Sequence, residues 1–183
     1  MKIYDLMPFE QFNKDMAEGY IRSQKHPTQP LAIYNYTEKA QFDQHWTTAT
    51  EMCRGLIVNT ETHDIVARPF RKFHNHGDTK HGSLNDYEPV VVTDKIDGSL
   101  GIAYQTPGGV KIATRGSFTS DQAEHATLLM DDKYPDFTPR EGWTYLFEIV
   151  YPANRIVVDY QGLDDLVCLG AVHIDSGSIV GPQ

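Results

Sequence analysis

The sequence predicts an α+β fold in which antiparallel sheets are flanked by a few helices. Three observations carry this. Short β-prone runs recur along the chain, and two of their junctions read as hairpins. The apolar period turns helical in only two places. No repeat or low-complexity tract interrupts the pattern. The 183 residues fit one domain or slightly more, and 40% hydrophobic residues can supply its core.

From the N-terminus, Phe9, Phe12, Met16 and Tyr20 fall at near-helical spacing and predict a short amphipathic helix around 8–19. Residues 24–30 hold two prolines and read as a loop. Residues 31–36 are a strand candidate. Residues 55–58 and 65–67 flank a polar turn and predict a hairpin. Residues 74–88 are polar and turn-rich, and 90–93 read as a strand. Residues 100–104 and 110–114 are two more strands, joined by the hairpin signal Thr106-Pro107-Gly108-Gly109. Thr119 precedes Gln122 by three residues, a capping-box arrangement, and Ala123, Ala126, Thr127 and Met130 share one face. A helix is predicted over about 120–131. A loop with two prolines follows at 132–142, then strands at 144–150, 155–158 and 166–174.

Composition limits the function. The net charge is −9. Phosphate contacts dominate nucleic-acid affinity, so a general nucleic-acid coat would be basic. An acidic chain needs a local basic cleft, or another domain that captures RNA. No apolar run reaches the ~18 residues of a membrane span, and Met1-Lys2-Ile3-Tyr4-Asp5 opens no secretory h-region. A soluble, cytoplasmic chain is expected. Cys53 and Cys168 are far apart in apolar surroundings and are expected as two free buried thiols.

Four stretches carry candidate chemistry. Lys95-Ile96-Asp97-Gly98-Ser99 follows a β-rich run. A Lys-x-Asp-Gly match arises by chance in roughly 4% of chains this long, so alone it fits a plain turn as well. In the functional reading, Lys95 as a free amine attacks an α-phosphate and forms a phosphoramide. Asp97 orients the sugar or the local structure, and Gly98 lets the backbone approach closely. Arg115 ends a strand in Thr114-Arg115-Gly116-Ser117, where it can pair with phosphate or be an ordinary surface arginine. Glu148 sits among Leu146, Phe147, Ile149 and Val150. If the strand alternates, it shares a face with Leu146 and Val150, where a carboxylate needs a ligand or an ion-pair partner. Arg54, with Arg68, Arg71 and Lys72, marks a basic patch or a solvated charge cluster. His74, His76 and His81 share a loop, but no Cys or carboxylate spacing completes a zinc pattern, and metal ligands stay unassigned. No Walker-type loop is present.

Together these motifs resemble the covalent nucleotidyltransferases, and within them the phage-type ATP-dependent RNA ligase 1 family. The resemblance runs through Glu51-Met52-Cys53-Arg54-Gly55-Leu56, the segment from Arg68 to Asn75, Lys95 to Leu100, and Arg115-Gly116-Ser117 with Ser120, Gln122 and Ala123. Phe147-Glu148 and Pro152-Ala153-Asn154-Arg155-Ile156-Val157 extend it, so that it covers the chain from about Tyr34 onward. The Lys95 element is common to the superfamily, whereas Cys53-Arg54-Gly55 and the Pro152 segment point to this family.

The resemblance implies ATP as substrate, magnesium as cofactor and Lys95 as the adenylylated lysine. It implies nucleotide-binding roles for Tyr36 near the base, for Arg54 and Lys72 around the triphosphate, and for Asp97, Gly98, Arg115 and Glu148. Arg115 stands where lysine is frequent, and Ile96 where an acidic residue sometimes occurs. The implied partner is RNA with 5′-phosphate and 3′-hydroxyl ends, nicked tRNA among the candidates. The family continues into a second carboxylate motif and a Lys-x-Lys motif, and neither precedes Gln183. Residues 1–183 are therefore expected to be a nucleotidyltransferase (adenylation) domain cut from a longer ligase rather than a reduced homologue, and weakly active or inactive on its own. A DNA ligase or capping-type enzyme, and a non-catalytic nucleotide- or RNA-end-binding module, remain as alternatives.

Overall fold

The computed structural model describes residues 1–75 and 92–182. One antiparallel sheet holds β1 (Ile21–Lys25), β2 (Leu31–Tyr36), β3 (Arg54–Asn59) and β4 (Ile65–Ala67), in that order. The second holds β5 (Ser99–Thr106), β6 (Gly109–Thr114), β7 (Trp143–Val150), β8 (Asp165–His173) and β9 (Ile179–Val180). Its order is β6-β5-β7-β8-β9, also antiparallel throughout.

Side chains alternate along a strand, so each sheet has two apolar faces to cover. Between the sheets, Ile33 and Ile57 of the first belong to one core with Ile102, Tyr104, Leu146 and Val172 of the second. Each such Ile or Leu stabilises by roughly 1.5–3 kcal/mol when fully buried. Behind the first sheet lie the short α1 (Ile3–Leu6), then α2 (Phe9–Ala17) and, after α3 (Glu38–Phe42), α4 (Thr48–Met52). Phe12, Ala49 and Cys53 pack there on Leu56 and Val58. Behind the second, α5 (Asp121–Lys133) lays Ala126, Leu129 and Met130 against Ala103, Ile112 and Ile149. The predicted α+β class and antiparallel sheets are therefore present. Among the described residues no helix is long and apolar enough to cross a membrane.

Several expectations need correction. α5 is capped by Ser120, not Thr119: the Ser120 hydroxyl accepts from the Ala123 amide at 3.3 Å and meets the Thr114 hydroxyl at 3.0 Å. Residues 155–158 form no strand. Ile156 and Val157 are exposed, and the Val157 and Val158 amides bond a side chain instead of a ladder. Of the strand expected at 90–93, residues 90 and 91 lie outside the described residues. Residues 92 and 93 are not in a strand, and Val92 is 88% exposed, so no packing holds it in a sheet. Cys53 is buried as expected, but Cys168 is exposed; both are free thiols. The loop at 74–88, with His76 and His81, falls almost wholly outside the described residues.

Candidate active site

The inter-sheet core stops short of one end of the strands, and a cavity of about 760 Å³ opens there. Its walls come from both sheets: Arg54, Asn35 and Arg22 from the first, and Leu100, Glu148 and Arg115 from the second sheet and its connections. Lys95 and Ile96 border it just before β5, with Phe70 and Phe73 on a strap after β4. Lys95 thus stands on the approach to β5, not at the end of a preceding strand.

Register explains how Glu148 enters the cavity. It pairs with Leu100 on β5 and Val167 on β8. Leu146, two residues earlier, belongs to the inter-sheet core, while Phe147 and Ile149 point to the α5 side. Glu148 is half-buried on the inner face and makes no ion pair with any described residue. Burial pushes its carboxyl above the ordinary value, against the opposing pull of the Lys95 cation and the Gly98 amide. Gly98 itself must be glycine. A Cβ there would lie 2.5 Å from the Ile149 carbonyl oxygen and 3.1 Å from Glu148 Cγ, so a side chain would separate the lysine motif from β7.

Arg54 opens β3 opposite Asn35. Burial, and next the Arg115 cation, lower the Arg54 pKa, and its guanidinium lies 5.1 Å from the Phe73 ring. Arg54 Nη1 and Asn35 Oδ1 are buried without a hydrogen-bond partner. Buried polar atoms are rarely left so, and both border the cavity. Arg115 Nη1 donates to the Tyr36 hydroxyl at 3.1 Å, with the guanidinium 5.0 Å above the ring. The Gly55 backbone (φ +94°) makes this junction tight: a Cβ there would meet Ile102 Cδ1 at 2.3 Å and the Arg115 Cα at 3.3 Å.

Other predicted residues lie away from the cavity. The Asp97 carboxylate accepts the Val157 and Val158 amides at 2.7 and 2.8 Å, and these hold it below the usual carboxylate range. Its own amide donates to the Tyr160 hydroxyl at 2.8 Å. Asp97 therefore binds the segment after β7. Lys72 Nζ donates to the Phe73 carbonyl at 2.6 Å and lies 5.1 Å from the Trp46 ring. Tyr36 borders a neighbouring basin beside Arg115. Glu51 holds the strap by a close ion pair with Arg71 and through the Lys72 amide, which donates to its carbonyl at 2.8 Å.

Sequence reasoning assigned no role to Arg22, Asn35 or Asn154. Asn154 donates to the Ile149 carbonyl at 3.0 Å and to the Ser99 hydroxyl at 3.1 Å, and accepts from Gln122 at 3.4 Å. Asn35 carried the same signal as Glu148, a polar residue inside a buried strand.

Two antiparallel sheets that close on a lysine, a carboxylate and two guanidiniums, with no ion pair among these side chains in the described residues, are consistent with a nucleotidyltransferase-like domain. A family model described as RNA ligase matches residues 52–178, well over half of the chain. This chain belongs to the phage-type RNA ligase family. It is 28% identical over 136 residues to a Thermovibrio ammonificans protein provisionally named an RNA ligase, covering 70% of this chain and 35% of that one. It is 28% identical over 124 residues to RNA ligase 1 of bacteriophage TS2126, covering 59% and 31%. A baculovirus protein (Autographa californica nuclear polyhedrosis virus), provisionally named a bifunctional polynucleotide kinase/RNA ligase, is 26% identical over 194 aligned positions, covering 90% and 27%. The chain spans about a third of the length of these relatives.

Proposed function

We propose that this chain carries out the adenylyl-transfer chemistry of an ATP-dependent RNA ligase, with Lys95 as the residue that carries AMP. The observation behind this reading is that Lys95 and Glu148 border one cavity with Arg54 and Arg115, and that neither arginine makes a close ion pair with a described residue, Glu148 acting on Arg54 only through space. Unpaired guanidiniums in a half-buried cleft suit phosphate, which they hold in bidentate fashion. The cavity is of a size usual for small-molecule sites.

In this reading the Lys95 amine, having lost its proton, attacks the α-phosphorus of ATP. The N–P bond forms, the bond to the bridging oxygen breaks, and pyrophosphate leaves. Arg54 and Arg115 meet the charge on the phosphates, and Glu148 accepts a ribose hydroxyl. A 5′-phosphate oxygen of RNA then takes the adenylyl group and Lys95 regains its proton. Finally a 3′-hydroxyl attacks the activated 5′-phosphate, the phosphodiester forms, and AMP leaves. Among the described residues no group of three His, Cys, Asp or Glu side chains could hold a metal ion. Glu148 and Asp94 alone of the described carboxylates border the cavity, a donor set that fits magnesium carried chiefly by substrate phosphates. Such an ion would neutralise phosphate charge.

Intact-mass spectrometry after incubation with ATP and magnesium tests the reading. The parent should gain one AMP, and Lys95→Ala should gain none while its thermal midpoint stays within a few degrees, since Lys95 is exposed. An adduct with GTP instead would indicate a capping-type enzyme. Equal sealing of nicked DNA would indicate a DNA ligase. ATP binding without any adduct would indicate a binding module.

A further inference from the structure

Beside the main cavity lies a second basin of about 320 Å³, bordered by Arg22, Asn35, Tyr36, Glu38, Lys39 and Arg115 among others. Arg22, Asn35 and Arg115 border both spaces, so the two are continuous through these side chains. Two guanidiniums, those of Arg22 and Arg115, border this basin in a chain of net −9. Lys2, Lys39, Arg71, Lys111, Lys133 and Arg155 each have a carboxylate partner, whereas Arg22, Arg54, Lys95 and Arg115, which border the cavity, make no ion pair with any described residue. Arg22 is exposed, and its side chain makes no hydrogen bond or ion pair with any described residue. Its guanidinium rests on the backbone of Gly116, where a Cβ would come within 3.0 Å of Arg22 Nη2. Among the described residues, the Arg115 side chain hydrogen-bonds only the neutral Tyr36 hydroxyl. Against these two cations stands Glu38, and Lys39 is already paired with Asp43 at 2.9 Å.

We propose that this basin is the seat of the 5′-phosphate end of the RNA strand, with Arg22 and Arg115 on the phosphate and Asn35 on the first ribose. The proposal rests on the ligase reading above. Two anions must approach Lys95 in turn, the pyrophosphate that leaves and the 5′-phosphate that arrives. Both would be attracted by Arg22 and Arg115. Asn35 decides between them. Its buried Oδ1 is an acceptor without a partner, and pyrophosphate offers it only further acceptor oxygens. A nucleotide end supplies both an anion for the guanidiniums and a ribose hydroxyl that can donate to Asn35. Arg115 lies on both spaces, so a phosphate held by it is next to the cavity that Lys95 borders.

The test uses the full-length protein with Arg22→Ala and Arg22→Lys. Lysyl-AMP formation is followed with ATP in a single turnover. Transfer of AMP from the pre-adenylylated protein is followed with a 5′-phosphorylated oligoribonucleotide. Binding of that oligonucleotide and of its 5′-hydroxyl counterpart is measured by fluorescence anisotropy. Arg22→Ala should slow transfer at subsaturating RNA at least about tenfold more than it slows lysyl-AMP formation, roughly the loss of one charge-assisted contact. It should also erase the preference for the 5′-phosphorylated strand, and Arg22→Lys should restore part of both. A defect confined to lysyl-AMP formation would assign the basin to pyrophosphate and overturn the proposal. So would unchanged transfer and unchanged preference. If the parent forms no adduct yet prefers the 5′-phosphorylated strand through Arg22, the ligase reading fails and the site stands. If the parent forms the adduct without that preference, the site fails and the ligase reading stands.

Discussion

Asp15 and Glu148 are both carboxylates carried into apolar surroundings, one behind the first sheet and one inside the cleft. Asp15 is fully buried, and its oxygens meet Gln11 Nε2 at 2.9 Å, His45 Nε2 at 2.9 Å and the Thr47 hydroxyl at 2.6 Å. It joins α2 to the turn before α4, and nothing is left for a ligand to satisfy. Glu148 is half-buried, has no ion pair among the described residues, and faces a cavity beside two guanidiniums that make no close ion pair with a described residue. A buried charge is therefore not by itself a sign of function. Incomplete satisfaction at the edge of a cavity is the better sign, because the missing partners can be supplied by substrate.

The comparison breaks most sharply on activity. Glu148→Gln keeps the shape and removes the charge. If Glu148 holds substrate, RNA sealing should fall by on the order of 10²–10³, and normal sealing by the variant would place Glu148 with Asp15 as a structural group. Asp15→Ala should do the reverse. It leaves His45 and Thr47 facing a void without their acceptor, which costs about 2–4 kcal/mol. For a chain of this size that lowers the thermal midpoint by roughly 5–15 °C, with the activity of the folded fraction retained. A variant that is as stable as the parent would show that water replaces the carboxylate at no loss.

How far each region was legible follows from how local its cause is. The β5–β6 hairpin was readable because the turn residues and both strands are contiguous. α3 and α4 were not, since five residues make little more than one turn and such helices owe their stability to packing. β1 was missed because Ile21-Arg22-Ser23-Gln24-Lys25 is polar, and it forms by pairing at the edge of the sheet. Glu148 stood out because strand alternation placed it among apolar residues. Asp97 was legible as part of a motif but not in its bonds, since its partners Val157 and Val158 lie 60 and 61 residues away and no spacing encodes them. Arg22 carried no signal at all: an exposed arginine in a polar run looks like any other until Gly116 and the cavity are seen beside it.

The smallest expected effect is in how stability depends on pH through Glu148. Burial, the largest influence on Glu148, raises its folded-state pKa above the ordinary carboxylate value, so the folded protein holds the proton more tightly than the unfolded chain does. The sign follows from linkage. Its contribution to stability is fully present below the unfolded pKa, where both states are protonated, and is lost as pH rises through the folded pKa. At neutral pH the ionised group therefore destabilises the protein slightly. Glu148→Gln removes this ionisation, so at pH 7 its midpoint should equal the parent's or exceed it by no more than a few degrees. That advantage should shrink as pH falls toward and below the ordinary value of a carboxylate. Denaturant midpoints of both proteins across that range would measure it. An ion-paired glutamate predicts the opposite slope, with its pKa lowered and the glutamine variant less stable at neutral pH but approaching the parent in acid. Finding that slope would mean that Glu148, like Asp15, already has its partners within the protein.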